Sequence, residues 1–392
     1  MNINFYESAQ AIKDELVHWR RTLHQNPELG LALPRTARFV MDTLNALDIP
    51  YQHYEDISCI TAVIGNPEAK PCILLRADMD ALPIEEETCL SYASKNGCMH
   101  ACGHDLHAAM LLGAAKLLKA QEPHLRGCIK LLFQPGEEIF AGAKAAIEHG
   151  VLENPRPDAA YAMHVASTLP LGMVAYGDNP MAAVYGFKID LKGRGGHGSQ
   201  PNQSIDPINT GVHIYLALQE LIARECSPSA EAALTIGQFN AGAAENIIPE
   251  TAVLKGTLRT FDPKLTAYLI RRIEETARGI SQVYRTTCAI TTLSQVPSVT
   301  CDPALNQLFL SSMAEFPIKT VPGFHVMGSE DFAFIAKEIP SSYFSLGAGI
   351  PDHSKWVGQH NPKVLFDEAA LPIGTACYAQ AAIAGLEGLH MK

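Results

Sequence analysis

The chain is short of charge, and nowhere does it concentrate positive charge. Lys, Arg, Asp and Glu make up 18% of its residues, below the about 25% usual for soluble proteins. The formal net charge is −11, and no Lys/Arg cluster supplies the basic face that a nucleic-acid binder needs. The acidic excess favours solubility and carries no information about substrate charge. Long apolar runs are also missing. None approaches the about 18 residues of a membrane span, so no membrane partner is expected. Met1-Asn2-Ile3-Asn4-Phe5-Tyr6-Glu7 lacks a basic start followed by an apolar stretch, the pattern of a secretory signal. The 10 cysteines are scattered without the density of a disulfide scaffold. Reduced thiols and a cytoplasmic location are the expectation. Internal repeats and low-complexity segments are absent as well.

Hydrophobic residues account for 47% of 392 positions. That supports a sizeable core and, at about 150 residues per domain, two or three domains. Ile12, Leu16, Trp19 and Leu23 share one face of a helix ending before Asn26-Pro27. The short apolar runs at 72–75, 129–133 and 159–162, separated by helical patterns, predict buried strands of a largely parallel sheet. Leu106, Met110 and Leu117 give a helix one apolar face just after a His-rich loop. Beyond residue 183 the pattern changes. Tyr185, Phe187, Ile189 and Leu191 alternate with polar residues or glycine, as in a half-buried strand. A helix should follow, with Asp206 as N-cap, Pro207 first, and Ile208, Val212, Tyr215 and Ile222 inward. Strands near 232–239 and 252–260, a helix near 263–282 and a strand near 286–293 complete a βαββαβ, ferredoxin-like order. Ser329-Glu330-Asp331 is expected to start a later helix, and 367–387 to form the last one.

Chemistry is concentrated in His100-Ala101-Cys102-Gly103-His104-Asp105-Leu106-His107, directly before a helix. Thiolate and imidazole suit zinc and its neighbours, and Gly103 allows the loop to turn Cys102 and His104 toward one point. The competing explanation is a closed structural zinc knuckle using Cys98 and Cys102. Glu137-Glu138 follows an apolar strand, where α/β folds place their active sites. One such glutamate can bind metal while its neighbour acts as general base, although a paired glutamate on its own is usually a solvated turn. Asp78 closes another apolar strand and is a candidate to orient a ligating histidine. His164 ends a third strand and is a candidate ligand, while His325, His353 and His360 compete for one more position. In the middle region, Gly193-Arg194-Gly195-Gly196-His197-Gly198 lacks the GK[ST] ending of a phosphate loop and presents a single histidine. Asn246 and Arg259 are further polar candidates, and alternation puts Arg259 on the strand face opposite Leu254 and Leu258. An Arg fork matches a carboxylate.

Taken together, these segments resemble the aminoacylase/carboxypeptidase family of metal-dependent amidohydrolases, in the branch of hippurate hydrolases, auxin-conjugate hydrolases and N-acetyl-diaminopimelate deacetylases. The matching segments are RADMDALP (76–83), HACGHDLHAA (100–109), FQPGEE (133–138), GRGGHGSQP (193–201), ENIIPE (245–250), GTLRTFD (256–262), GSEDFAF (328–334) and HNP (360–362), in family order. Gly136 stands where the family more often has Ala. The resemblance implies an α/β fold, with a mixed-sheet metallohydrolase catalytic domain over 1–183 and 297–392. A ferredoxin-like α+β lid and dimerisation domain would be inserted at 184–296. It implies Cys102, His104, Glu138, His164 and His360 as ligands of two divalent metal ions per subunit, zinc or manganese before cobalt or nickel. Glu137 would be the general base and later proton donor, with Asp78 in support. His197, Asn246 and Arg259 would bind substrate and stabilise an oxyanion, His197 often being supplied by the partner subunit of a homodimer. The expected substrate is a small N-acyl amino acid. The rivals are a dipeptidase or carboxypeptidase of the same family and, more remotely, a non-catalytic zinc-stabilised binding protein.

Overall fold

The computed structural model describes residues 4–390. Met1, Asn2 and Ile3, part of the segment read above for a secretory signal, lie outside the described residues. The chain divides into two compact units, the larger from residues 1–180, 299–325 and 331–392 and the smaller from 181–298 and 326–330.

In the larger unit the elements run α1 (Phe5–Ala11), α2 (Lys13–His24), α3 (Pro34–Ala46), β1 (Tyr51–Tyr54), β2 (Cys59–Ile64), β3 (Cys72–Asp78), α4 (His104–Lys119), β4 (Cys128–Gln134), α5 (Gly142–Glu148), β5 (Ala159–Pro170) and β6 (Met173–Tyr176). The smaller unit contributes β7 (Ala183–Lys192), β8 (Gly196–His197), α6 (Pro207–Glu220), β9 (Ala232–Ala241), β10 (Ile247–Ile248), β11 (Thr251–Thr260), α7 (Pro263–Val283) and β12 (Thr287–Val296). The larger unit then resumes with α8 (Pro303–Ser312), β13 (Lys319–Pro322), α9 (Ala333–Glu338), β14 (Ser341–Gly349) and α10 (Ala370–His390).

Among the described residues of the larger unit, 8 strands form one mixed sheet in the order β1-β2-β4-β3-β5-β14-β6-β13. Its centre, β4-β3-β5-β14, is parallel throughout, while β1–β2, β2–β4 and β14–β6 are antiparallel. The central strands β3 and β4 are buried along their whole length and are mostly Ile, Leu, Ala and Phe, as parallel sheets covered on both faces require. Buried residues surround nearly the whole of α4 and α10. The parallel register aligns the C-terminal ends of β3 and β4, so Asp78 lies beside Gln134, three residues before Glu137. No described helix is long and apolar enough to cross a membrane, and no described cysteine is in a disulfide.

The smaller unit is a four-stranded antiparallel sheet in the order β12-β7-β11-β9, with α6 and α7 packed on one face. Numbered within the unit this is 4-1-3-2, the ferredoxin-like topology. Asp206 caps α6 by accepting from the amides of Ile208 and Asn209, with Pro207 at the first position. The inward face of α6 differs from the expectation. Ile208, Val212 and Tyr215 are 36%, 43% and 40% exposed, and the large apolar side chains that are buried are Ile214 and Leu218, with Leu221 just beyond the helix end. Ile222 is half-buried against the same core. Both stripes repeat at helical spacing, so periodicity cannot choose between them. The choice is made by packing on the core that includes Phe187 and Leu254. A second departure concerns Ser329-Glu330-Asp331, which precede α9 rather than starting it. The Asp331 carboxylate accepts instead from Ala143 N at the start of α5, at 2.7 Å.

Candidate metal centre and active site

The proposed ligands His104, Cys102 and His164 are set by a loop, a helix start and a strand. Gly103 adopts φ +94, and a Cβ there would stand 2.5 Å from Val165 Cγ2. Glycine is therefore required both for the turn and for the close approach. The turn puts His104 at the first position of α4. Its Nδ1–H donates to the carbonyl of Asp80 at 2.9 Å. Its Nε2 is buried without a hydrogen-bond partner. His164 is fixed in the same way: Nδ1–H donates to the Val165 carbonyl at 2.7 Å, and Nε2 lies 3.4 Å from the Cys102 sulfur. Imidazoles pinned at Nδ1 with Nε2 directed at a thiol are prepared as ligands. Burial, and next His107, depress the His164 pKa, which keeps its ring neutral.

Glu138 and His360 complete the group. Glu138 Oε2 is 3.4 Å from His360 Nε2, and Glu138 Oε1 is buried and unpartnered. His360 is held at φ +65, with its amide bonded to Ala101 O at 3.1 Å. By contrast, His325 Nδ1 bonds to Asn179 O at 2.7 Å and the His353 ring packs tilted against Trp356, with centroids 4.1 Å apart. Two three-ligand groups result, Cys102/His104/His164 and Cys102/Glu138/His360, with the donor atoms of each within 4.8 Å of one another. Cys102 belongs to both.

The electrostatics favour positive charge here. Hydrogen bonds to Cys102, then to Glu138, push the His360 pKa up to about 10. Burial opposes the His104 imidazolium, but Asp78 and the bond to Asp80 hold its pKa well above the ordinary histidine value. Burial likewise opposes the Glu138 carboxylate, yet His360 and His104 bring its pKa below the ordinary value. A cation of higher charge would meet the same field. Two unsatisfied buried donor atoms, a neutral His164 and a mixed thiolate, imidazole and carboxylate set fit divalent zinc or a neighbouring metal.

Glu137 is 5% exposed, with Oε2 at 4.0 Å from His104 Nε2. The turn that carries it uses Gly136 at φ +69, a region where a Cβ is unwelcome. Asp80, which sequence reasoning passed over in favour of Asp78, holds this turn. Its two carboxylate oxygens accept from the amides of Glu137 and Glu138, each at 3.0 Å, while its carbonyl fixes His104. One residue thus positions both glutamates and one imidazole. Asp78 is placed differently: it bonds to His107 Nδ1 at 2.5 Å and to Arg76 at 2.6 Å, and lies 3.8 Å from His104 Nε2. His107 was also passed over, although its i+3 spacing from His104 on a helix was a usable signal.

Beneath the site lies a buried polar network. Arg76, 1% exposed, donates to Asp78, to Gln134 Oε1 at 2.9 Å and to Asp331 Oδ1 at 2.9 Å. Gln134 Nε2 also donates to Asp331. Asp105 is a separate anchor at the start of α4, held by Arg20 at 2.7 Å and His24 at 2.8 Å. Removing one member of a buried ion pair leaves an uncompensated charge, at a cost of about 3–5 kcal/mol. Asp331→Ala is therefore expected to lower the urea midpoint of the larger unit's transition clearly. An unchanged midpoint would remove this network from the account.

In the smaller unit, β8 pairs with β10 so that His197 faces Ile247, and Gly198 N donates to Asn246 O at 2.8 Å. His197 and Asn246 are thus neighbours. The Ser199 amide donates to His197 Nδ1 at 3.1 Å. An amide can only donate, so Nδ1 is the acceptor and the ring's N–H is on Nε2. Arg259 is half-buried on β11 and donates to Ser329 Oγ at 2.6 Å, and Ser329 Oγ in turn donates to Ala182 O at 2.7 Å. Among the described residues, no carboxylate forms an ion pair with Arg259. Burial pushes its pKa below the ordinary arginine value, so an anion supplied from outside would be welcome.

Comparison with known proteins gives a consistent set of relatives. An IAA-amino acid hydrolase of Arabidopsis thaliana is 36% identical over 94% of this chain and 85% of its own. An N-acetylcysteine deacetylase of Bacillus subtilis is 34% identical over 96% of this chain and 98% of its own. A thermostable carboxypeptidase of Saccharolobus solfataricus is 35% identical over 96% of each chain. Among solved structures, an aminohydrolase from methicillin-resistant Staphylococcus aureus superposes with a TM-score of 0.92 at 31% identity, covering 98% of this chain and 100% of that one. A dinuclear metal-binding peptidase from Bacillus subtilis gives 0.82 at 32%, covering 96% and 99%. Residues 74–384 match the profile of peptidase family M20/M25/M40, and the chain belongs to that family of amide-bond hydrolases.

Proposed function

We propose that the protein is a cytoplasmic, homodimeric amidohydrolase that uses two divalent ions per subunit, zinc or manganese, to release the acyl group from a small N-acyl amino acid. The observation that carries this reading is the pair of ligand groups sharing Cys102, with the Glu137 carboxylate beside them. The dinuclear relative and the deacetylase and conjugate hydrolase relatives support it. The free thiols suit a reducing compartment. The exposed stripe Ile208, Val212 and Tyr215 on α6, near Phe239 on edge strand β9, suits a second copy of the chain.

Cys102, His104 and His164 would hold one ion, and Cys102, Glu138 and His360 the other. Divalent ions in these positions supply Lewis acidity to water and to the scissile carbonyl. Glu137 accepts the proton of the attacking water and returns it to the leaving nitrogen. The Nε2–H of His197 donates to the developing oxyanion, a task for which its tautomer is already set by Ser199. Arg259 forks to the substrate carboxylate, with Asn246 assisting.

A dipeptide offers the same free carboxylate, and the carboxypeptidase relative keeps that second reading open. The carboxylate clamp is tested by comparing an N-acyl amino acid with its carboxamide. The wild type should prefer the acid, and Arg259→Ala should raise KM for the acid by about 10²-fold, the scale of a lost charged hydrogen bond at 1.5–3 kcal/mol, leaving the carboxamide little changed. Equal losses on both substrates would contradict the assignment.

A further inference from the structure

Two large apolar side chains stand in solvent beside the proposed base. Ile139, directly after Glu138, is 55% exposed, and Leu29 is 41% exposed. Among the described residues of the larger unit, the other exposed large hydrophobic is Leu171, in the turn between β5 and β6. Apolar side chains this exposed need a reason when they gather at a site.

Both are tied to the catalytic loop through the backbone. Leu29 forms a parallel bridge with Ala81, the residue after Asp80, whose carboxylate holds the amides of Glu137 and Glu138. A Cβ on Gly30 would stand 3.6 Å from Ile139 Cδ1, so the Leu29–Gly30 segment and Ile139 are adjacent. Ile139 is held out by a tight turn. Phe140 N donates to Glu137 O at 2.8 Å, and Ala141 and Gly142 both donate to Gly136 O. Phe140 takes φ +54 to close this turn, a conformation bulky residues avoid. A strained backbone that presents an exposed isoleucine two residues from the base points to function.

We infer that Ile139 and Leu29 form an apolar ledge for the acyl group of the substrate, selecting short aliphatic or aromatic acyl groups larger than acetyl. The inference rests on the amidohydrolase reading above. In that reaction Glu137 takes the proton of the water that attacks the carbonyl carbon, and the acyl chain is the substituent on that carbon. The amino-acid half lies across the scissile bond, with its carboxylate assigned to Arg259. With the amino-acid half assigned to Arg259, the exposed apolar residues contiguous with Glu137 are left for the acyl chain.

The test uses two substrate series. One varies the acyl group of a single amino acid from acetyl to butanoyl to hexanoyl, and the other keeps acetyl and lengthens the amino-acid side chain. In the wild type kcat/KM should rise along the acyl series by up to about fourfold per methylene, the full value of burying that group. Ile139→Ser and Leu29→Ser should flatten that rise and leave the slope of the amino-acid series intact. Inhibition by the free acids acetate, butanoate and hexanoate should tighten with length in the wild type and lose that trend in the variants. A common factor lost on every substrate, or a flattened amino-acid series, would overturn the ledge. An active wild type with a flat acyl series would overturn it too. A wild type that cleaves no N-acyl amino acid at all would instead refute the amidohydrolase reading, and the ledge with it.

Discussion

Exchange of Glu137 for Gln is expected to lower kcat by about 10²–10⁴, the usual contribution of general acid–base catalysis, without changing the metal content. Glutamine has the size of glutamate and keeps the amide that donates to Asp80, so the turn should stay in place. What it loses is the capacity to accept a proton. Glu137 can also group with His104 and Glu138, but neither proposed ligand set, Cys102/His104/His164 or Cys102/Glu138/His360, includes it, so both sets should survive the exchange. Single-turnover kinetics with metal analysis on the same sample is the appropriate measurement. Near-normal turnover in a metal-loaded variant would remove Glu137 from the mechanism.

Metal removal should have a larger effect. Chelation is expected to abolish activity, and zinc or manganese should restore it. Cys102→Ala should lose at least one ion permanently, because Cys102 belongs to both ligand groups. The apoprotein should nevertheless remain folded. A core running through an eight-stranded sheet and the helices on its two faces supplies stability that a small zinc domain must take from its metal. Circular dichroism and the thermal midpoint, read beside metal content, separate the two cases. Global unfolding on chelation would favour a structural zinc protein.

These expectations depend on features of unequal visibility in the sequence. The ligand-rich segment at 100–107 was legible because its donors are adjacent and open a helix. The strands leading to Asp78 and Gln134 were legible as apolar runs, whereas β5 continues to Pro170, so His164 lies within its strand and not at the expected end; the βαββαβ order showed in a change of periodicity after residue 183. The division of labour between Asp78 and Asp80 was not legible. Two aspartates separated by one residue at a strand end look alike until the fold aims them, Asp78 at Arg76 and His107, Asp80 at the Glu137 turn. Asp331 meets Arg76 from 255 residues away, a distance over which spacing carries no signal. On α6, two apolar stripes satisfied the same helical period, and tertiary packing buried the one that was not chosen. Equally, nothing in the intervals between His325, His353 and His360 says which of them returns to residue 138.

The most direct test of the central claim is hydrolysis of N-acetyl, N-benzoyl and N-indoleacetyl amino acids, alongside unblocked dipeptides, by the same protein before chelation, after chelation and after metal is restored. Cleavage of at least one N-acyl amino acid in preference to the dipeptides is expected, absent from the chelated protein and recovered with two equivalents of zinc or manganese per subunit. Cleavage that survives complete metal removal, or no cleavage of any N-acyl amino acid by fully metallated protein, would contradict that claim.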